Sequence, residues 1–124
     1  MTIEERADMA VSLKRGRCNC AQAVLVACKD EIGLDEETLM MLGSGFGAGM
    51  GSLEGTCGAL VGAIMVANMK KKGNGAMQSS RVLAKRFKDE CGKTICKDIK
   101  QYGIDCSDCV KNAVLLLKEV IPEL

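Results

Sequence analysis

Histidine is absent from the 124-residue sequence. The chain therefore has no imidazole for acid–base catalysis near neutral pH and no histidine-ligated metal. The aromatic residues are Phe46, Phe87 and Tyr102, too few for a platform that stacks on nucleic-acid bases. A net charge of +1, from 17 basic and 16 acidic residues, gives no electrostatic reason to expect nucleic acid or an anionic membrane as a partner.

Long apolar runs are also missing. The longest, residues 57–69, is well short of the roughly 20 residues that span a bilayer, so we expect no transmembrane segment. The amino-terminal residues 1–8 are charged and show no signal-peptide pattern. We therefore expect a cytoplasmic protein in a reducing compartment, where grouped cysteines are more often redox-active or metal-binding than structural.

The patterning of the chain predicts a single all-α domain, a compact bundle over residues 1–124. Helical spacing and capping residues predict helices at about 3–14, 20–31, 36–42, 57–71, 76–90 and 105–121. Thr2, Asn19 and Asp35 are the expected caps of the first three helices, Thr56 caps the fourth, and Thr94 caps a short turn that carries Cys96. No sustained alternation of apolar and polar residues predicts a strand.

A glycine-rich loop leads into the most apolar part of the chain. Seven glycines lie within residues 43–58, and glycine allows unusual backbone angles and close approach. The loop lacks the lysine of a phosphate-binding P-loop. The helix predicted at 57–71 is apolar on opposite sides, so we expect it to be buried at the centre of the bundle, with Cys57 at the junction.

Eight cysteines are the strongest signal in the sequence: Cys18, Cys20, Cys28, Cys57, Cys91, Cys96, Cys106 and Cys109. A thiol at a helix start lies in a positive field that favours thiolate, which makes Cys57 the best candidate and gives Cys20 and Cys96 a similar setting. Cys91 lies at a predicted helix end, where the dipole disfavours thiolate, so we expect at most an auxiliary role. Cys28 lies on an apolar helix face and is expected in the core.

Two short spacings bring cysteine pairs close in sequence. Cys106 and Cys109 form a C-x-x-C motif at a predicted helix start, which puts both sulfurs within reach of a disulfide or a shared metal. Cys18 and Cys20 are two apart and would point to different sides of a helix, so Cys18 fits an exposed loop residue as well as a ligand. Convergence of four helix-start cysteines would make a cluster or zinc site, whereas two pairs would make dithiol switches.

Five sequence features carry a resemblance to a known family. They are Asn19-Cys-Ala-Gln-Ala-Val24, Gly45-Phe-Gly47, Cys57-Gly-Ala-Leu-Val-Gly62, Cys96 and Cys109-Val110. Over essentially its whole length the chain resembles the family of redox-active proteins named for its C_GCAxxG_C_C pattern. The resemblance implies that the four characteristic cysteines are Cys20, Cys57, Cys96 and Cys109. The other four cysteines lie outside the pattern.

The resemblance also implies a redox role. The family is often encoded near transporters and oxidoreductases, and a similar region occurs in multihaem cytochromes that also carry an iron–sulfur cluster. The present sequence has no C-x-x-C-H, which excludes covalent c-type haem. Our first hypothesis is that Cys20, Cys57, Cys96 and Cys109 bind an iron–sulfur cluster and pass electrons to a redox partner protein.

Two alternatives stay open beside the cluster. In a metal-free thiol–disulfide protein, Cys57 or Cys109 would attack a disulfide, and Cys106 or Cys20 would resolve the intermediate. In a structural or interaction module, the four pattern thiolates would bind zinc, although compact zinc sites usually combine two close pairs of cysteines. The apolar central helix and glycine loop would also permit a homodimer.

Overall fold

Nine helical segments and no strand make up the computed structural model, which describes all of residues 1–124. They are α1 (Ile3–Arg15), α2 (Cys20–Ala27), α3 (Lys29–Ile32), α4 (Glu36–Gly43), α5 (Gly47–Met50), α6 (Gly58–Lys70), α7 (Ala76–Cys91), α8 (Cys96–Gln101) and α9 (Cys106–Leu116). The short α5 segment is a left-handed turn, because Ala48, Gly49 and Met50 have positive φ. A 3₁₀ turn, Leu117–Glu119, follows α9. The all-α prediction is confirmed, and none of the helices is both long and apolar enough to cross a membrane.

Side-chain caps begin the first helices where the sequence predicts them. The Thr2 hydroxyl accepts from the Glu5 backbone N–H while the Glu5 carboxylate accepts from the Thr2 N–H, a complete capping box. Asn19 caps α2 in the same reciprocal way, and Asp35 caps α4. These three predicted helix starts are confirmed.

Two predicted helices end earlier than expected. The helix predicted at 20–31 is divided at Cys28, because the Arg6 guanidinium donates to the carbonyl oxygen of Ala27 at 2.7 Å and so gives that carbonyl a partner outside the helix. The last α-helix ends at Leu116 and tightens into the 3₁₀ turn. Pro122 disfavours helical geometry in the residue before it, so the helix does not resume after this turn.

The two threonines expected to cap α6 and α8 do not cap them. Cys57 itself occupies the N-cap of α6, and Ile95 occupies that of α8, in neither case with a side-chain capping bond. Thr56 and Ile95 instead form an isolated antiparallel β-bridge. The predicted caps are wrong because backbone pairing between the two loops takes the place of side-chain capping.

The core is centred on the contact between α2 and α6. All residues of α2 but one are buried. A Cβ atom added to Gly62 of α6 would lie 3.0 Å from the Ala21 carbonyl oxygen and 3.0 Å from Val24 Cβ, so glycine is what lets the two helices approach. The side of α6 that faces α2 is buried, whereas its outer side, around Met65, is half-buried.

Candidate functional site

A pocket of about 140 Å³ lies where the start of α2 meets α1, α6, α8 and α9. Four cysteines line it: Cys20, Cys57, Cys96 and Cys106. Three of these belong to the four-cysteine pattern. The fourth pattern residue, Cys109, is fully buried and contacts Cys57 without lining the pocket. The structure thus brings the four pattern cysteines together and adds Cys106 to them.

Backbone pairing between two loops positions Cys57 and Cys96. The Cys57 N–H donates to the Thr94 carbonyl oxygen at 2.7 Å, and the Cys96 N–H donates to the Gly55 carbonyl oxygen at 3.0 Å. These bonds flank the Thr56–Ile95 bridge. Because each loop runs directly into a helix, the pairing fixes the starts of α6 and α8 side by side.

Glycines of the loop allow the backbone to close around two of the pocket cysteines. Gly49 has a φ of +59°, and a Cβ atom there would lie 2.6 Å from Cys96 Cβ. A Cβ atom on Gly58 would lie 2.7 Å from the Phe46 carbonyl oxygen and 3.4 Å from Cys20 Cβ. The absence of side chains at these glycines therefore lets the glycine-rich segment pack directly against the cysteine side chains.

The thiol of Cys57 is the one in the pocket whose environment favours ionisation. The neighbouring Cys109 thiol is the largest cause that lowers the pKa of Cys57 to about 7, against the opposing effect of burial. The backbone N–H groups of Ala59 and Leu60 face the sulfur, and Lys100 adds a positive charge; both effects lower the pKa further. These contacts thus favour the thiolate of Cys57, the nucleophilic form.

Burial reverses the expectation for the two other helix-start cysteines. Desolvation raises the pKa of Cys20 to about 12, and it also raises the pKa of Cys96. The prediction that their helix starts would favour thiolate is therefore wrong for both side chains. Burial thus favours the protonated thiol at Cys20 and Cys96, whereas the surroundings of Cys57 favour its thiolate.

A second cysteine, Cys91, contacts Cys109 from the end of α7. The Cys109 thiol is again the largest cause that lowers the pKa of Cys91, to about 7, and the Asn112 amide donates to the Cys91 sulfur at 3.3 Å. The expectation that a helix end would disfavour thiolate is wrong here, because the contacts with Cys109 and Asn112 lower the pKa of Cys91. Cys109 has one proton to donate, so it serves Cys57 and Cys91 in turn, and its own pKa is raised.

The two remaining cysteines lie away from the pocket. Cys28 is fully buried, as expected for a core residue, and burial raises its pKa to about 12. Cys18 is only 6 % exposed, with its sulfur 3.6 Å from that of Met40, so it is not the exposed loop residue considered from the sequence. Six of the eight cysteines are therefore at the pocket or linked to it through Cys109.

Two lysines and an asparagine at the site were not predicted from the sequence. Lys14 and Lys100 line the pocket, and neither forms an ion pair with an acidic side chain. Lys100 follows Cys96 by four residues, and Asn112 follows Cys109 by three, spacings that put each pair on one helix face and could have identified both. Lys14 comes from α1, and no local sequence pattern predicts its position.

The thiols are close to one another without forming a site for a single metal ion. No group of three or more cysteine, aspartate or glutamate side chains is arranged to hold one. The cysteines line the wall of the pocket and are not arranged tetrahedrally around one point.

Comparison with known proteins agrees with the cysteine pattern. The sequence pattern of the family described as "Putative redox-active protein (C_GCAxxG_C_C)" matches residues 18–120, a span that contains all eight cysteines. No curated protein and no solved structure gives a significant match to the chain. Because the match covers most of its length, the chain belongs to the C_GCAxxG_C_C family of putative redox-active proteins.

Proposed function

We propose that the protein is a thiol–disulfide redox protein in which Cys57 attacks and Cys109 resolves. The observation that carries the proposal is their arrangement: Cys57 lines the pocket, and the Cys109 thiol contacts its sulfur from the interior. Cys57 is 5 % exposed and would meet a substrate disulfide through the pocket, whereas Cys109 is fully buried and does not line it. This is the division of labour between an attacking and a resolving thiol.

The reaction conserves atoms and electrons. The Cys57 thiolate attacks one sulfur of a substrate disulfide, forms a mixed disulfide and releases the first substrate thiolate. The Cys109 thiol then loses its proton, attacks the Cys57 sulfur and displaces the second substrate sulfur as thiolate. The substrate disulfide is reduced by two electrons to two thiols, and the Cys57–Cys109 pair is oxidised to a disulfide.

The environment of Cys109 suits the second step better than the first. The pKa of Cys109 is raised by its interaction with Cys57 and, to a smaller extent, by its interaction with Cys91. Cys109 therefore stays protonated until Cys57 has reacted. Between the two attackers considered from the sequence, this favours Cys57. Cys106 and Cys20 line the pocket and stay as alternative resolving residues.

Trapping of the mixed disulfide tests the proposal. A Cys109→Ser variant treated with a small aromatic disulfide should accumulate a mixed disulfide on Cys57, which mass spectrometry of the intact protein and its peptides would detect. Cys57→Ser should form none at this site, and Cys18→Ser, which changes a buried cysteine that does not line the pocket, should behave as wild type. Equal labelling of Cys57→Ser and wild type, or rapid resolution without Cys109, would contradict the assignment.

An iron–sulfur cluster for electron transfer is the second candidate, favoured by the four cysteines around one pocket. Clusters are commonly bound by four thiolates around an inorganic core, so their ligands can lie further apart than the ligands of a single metal ion. Cys20, Cys57 and Cys96 would provide three ligands, and Cys109 or Cys106 the fourth. A bound cluster would supply one-electron chemistry.

Anaerobic purification separates the two candidates. Brown protein with stoichiometric iron would support the cluster, whereas colourless, iron-free protein that loses two thiols reversibly on mild oxidation would support thiol exchange. Among cluster variants, Cys109→Ala and Cys106→Ala identify the fourth ligand, since only the variant lacking a ligand should lose iron. Cys57→Ser should abolish either behaviour.

Zinc is the weakest candidate. A zinc site needs its ligands grouped tetrahedrally around one ion, and no three ligand side chains are grouped in that way. The residues as placed therefore do not fit a zinc ion.

The partner and location follow from the proposed chemistry. The disulfide formed in the protein must be reduced again before the next reaction. We therefore propose that a redox partner protein reduces it and that the protein works in a reducing, cytoplasmic compartment. A homodimer, which the apolar central helix permits, would use the outer side of α6, where Met65 and Met69 line a surface pocket with Leu42, which is 43 % exposed. Sedimentation of wild type and Leu42→Lys at several concentrations tests this part.

A further inference from the structure

We propose that Cys91, which lies outside the family pattern, is a third redox residue that accepts the disulfide from Cys57 and leaves Cys57 free at the pocket. The inference rests on the proposed thiol–disulfide function. It assigns a role to a cysteine that neither the pattern nor the pocket requires. The three sulfurs form a relay that runs from the pocket through Cys109 to the end of α7.

The contacts of Cys109 carry the inference. Its thiol interacts with both Cys57 and Cys91, and it is completely buried. Cys91 is 6 % exposed, is the last residue of α7, and does not line the pocket. A disulfide on Cys109 therefore has two neighbouring sulfurs, of which only Cys57 faces the substrate side.

Asn112 gives Cys91 a fixed place in this relay. Its amide donates to the Cys91 sulfur at 3.3 Å from one turn further along the same helix as Cys109. Asn112 and Cys109 both lie on α9 and both contact the Cys91 sulfur, so the hydrogen bond from Asn112 keeps Cys91 beside Cys109. Asn112 thus acts as a positioning residue, because it touches neither substrate nor the sulfur that is attacked.

The exchange step is balanced without an external oxidant. Once Cys57 and Cys109 are joined, the Cys91 thiol loses its proton and attacks the Cys109 sulfur. The Cys91–Cys109 bond forms, the Cys57–Cys109 bond breaks, and Cys57 leaves as thiolate. The number of disulfides is unchanged, and the oxidising equivalent has moved away from the pocket.

Disulfide mapping tests the relay. Reduced protein receives one equivalent of a small aromatic disulfide, the reaction is stopped with acid at successive times, free thiols are alkylated, and peptides are mapped by mass spectrometry. In wild type the Cys57–Cys109 disulfide should appear first and give way to Cys91–Cys109, with Cys57 recovered in alkylated form. In Cys91→Ser the Cys57–Cys109 disulfide should persist. Asn112→Leu should slow the transfer without slowing the first step.

Three outcomes would overturn the relay, and they are distinguishable. A stable Cys57–Cys109 disulfide in wild type, with Cys91 alkylated throughout, contradicts the relay and leaves the proposed function intact. Absence of any disulfide containing Cys57 or Cys109 contradicts both. Transfer at the wild-type rate in Asn112→Leu contradicts the positioning role of Asn112 alone. The wild-type time course decides the main question even if a variant folds poorly.

Discussion

Thr56 and Ile95 pair as the isolated β-bridge of this all-α molecule, and each directly precedes a cysteine of the pocket. The pairing explains how Cys57 and Cys96, 39 residues apart in the sequence, come to begin neighbouring helices. Two backbone hydrogen bonds, of 2.7 Å and 3.0 Å, hold the cysteine N–H groups themselves. The pairing between these two loops therefore fixes the two helix starts of the candidate site through the main chain.

Gly49→Ala should lower the free energy of unfolding by more than the backbone strain of an alanine with positive φ. Both Gly49 and Gly51 have positive φ, so an alanine at either position should cost about 1–2 kcal/mol through backbone strain. Only at Gly49 would the new Cβ meet a side chain, 2.6 Å from that of Cys96; nothing lies within 4 Å at Gly51. Gly49→Ala should therefore lose about 1–3 kcal/mol more in urea unfolding. Equal losses in the two variants would contradict the close packing against Cys96.

Alkylation of Cys57 should rise with pH around a midpoint of about 7, two units below the ordinary value of 9.0. Thiolate is the reactive form, so the rate is low below the pKa and reaches a plateau above it. Between pH 6 and pH 8 the rate should increase about ten-fold. Iodoacetamide labelling followed by peptide mass spectrometry measures this. A midpoint near 9 would show that the contacts with Cys109 and the α6 N–H groups do not stabilise the thiolate.

Lys100→Gln tests whether a positive charge contributes to the pH dependence of Cys57 alkylation. Lys100 lines the pocket and lowers the pKa of Cys57, so its removal should shift the alkylation midpoint upward. Lys97 lies on the same short helix without lining the pocket, and Lys97→Gln should leave the midpoint unchanged. Salt should weaken the effect of Lys100, because the lysine is exposed.

The fold was predictable from local signals, because helical spacing and capping residues are short-range. Thr2, Asn19 and Asp35 begin helices where the sequence indicates. The break at Cys28 was not predictable, since it depends on the Arg6 guanidinium reaching the Ala27 carbonyl from another helix. Long-range hydrogen bonds of this kind have no signature within a sequence window.

The candidate site was predictable as a set of residues and less so as chemistry. Family resemblance identified Cys20, Cys57, Cys96 and Cys109, which the structure brings together. The dipole argument for thiolate then failed at Cys20, because helix position is local whereas burial is set by the whole fold. For the same reason, the pairing of Cys91 with Cys109 could not be predicted.

Gly58→Ala should destabilise the protein although alanine is the better helix former. The new Cβ would lie 2.7 Å from the Phe46 carbonyl oxygen and 3.1 Å from the Ala21 N, and neither backbone atom can move easily. Overpacking of this kind costs about 1–3 kcal/mol. Gly45→Ala has nothing within 4 Å of its Cβ and should change stability by less than about 0.5 kcal/mol. Urea unfolding of both variants checks the contrast; a stabilised Gly58→Ala would contradict the packing.

Arg6→Met should lower stability chiefly by leaving the Ala27 carbonyl without its partner. Arg6 is 3 % exposed and donates to that oxygen at 2.7 Å, whereas its ionic partner Asp30 is 61 % exposed and can be hydrated after the change. The buried carbonyl should cost about 1–3 kcal/mol, and the loss of the ion pair should add little. Arg17→Met removes an exposed pair with Glu36 and should cost under about 1 kcal/mol. Equal losses in thermal unfolding of the two variants would show that Arg6 acts as an ordinary surface charge.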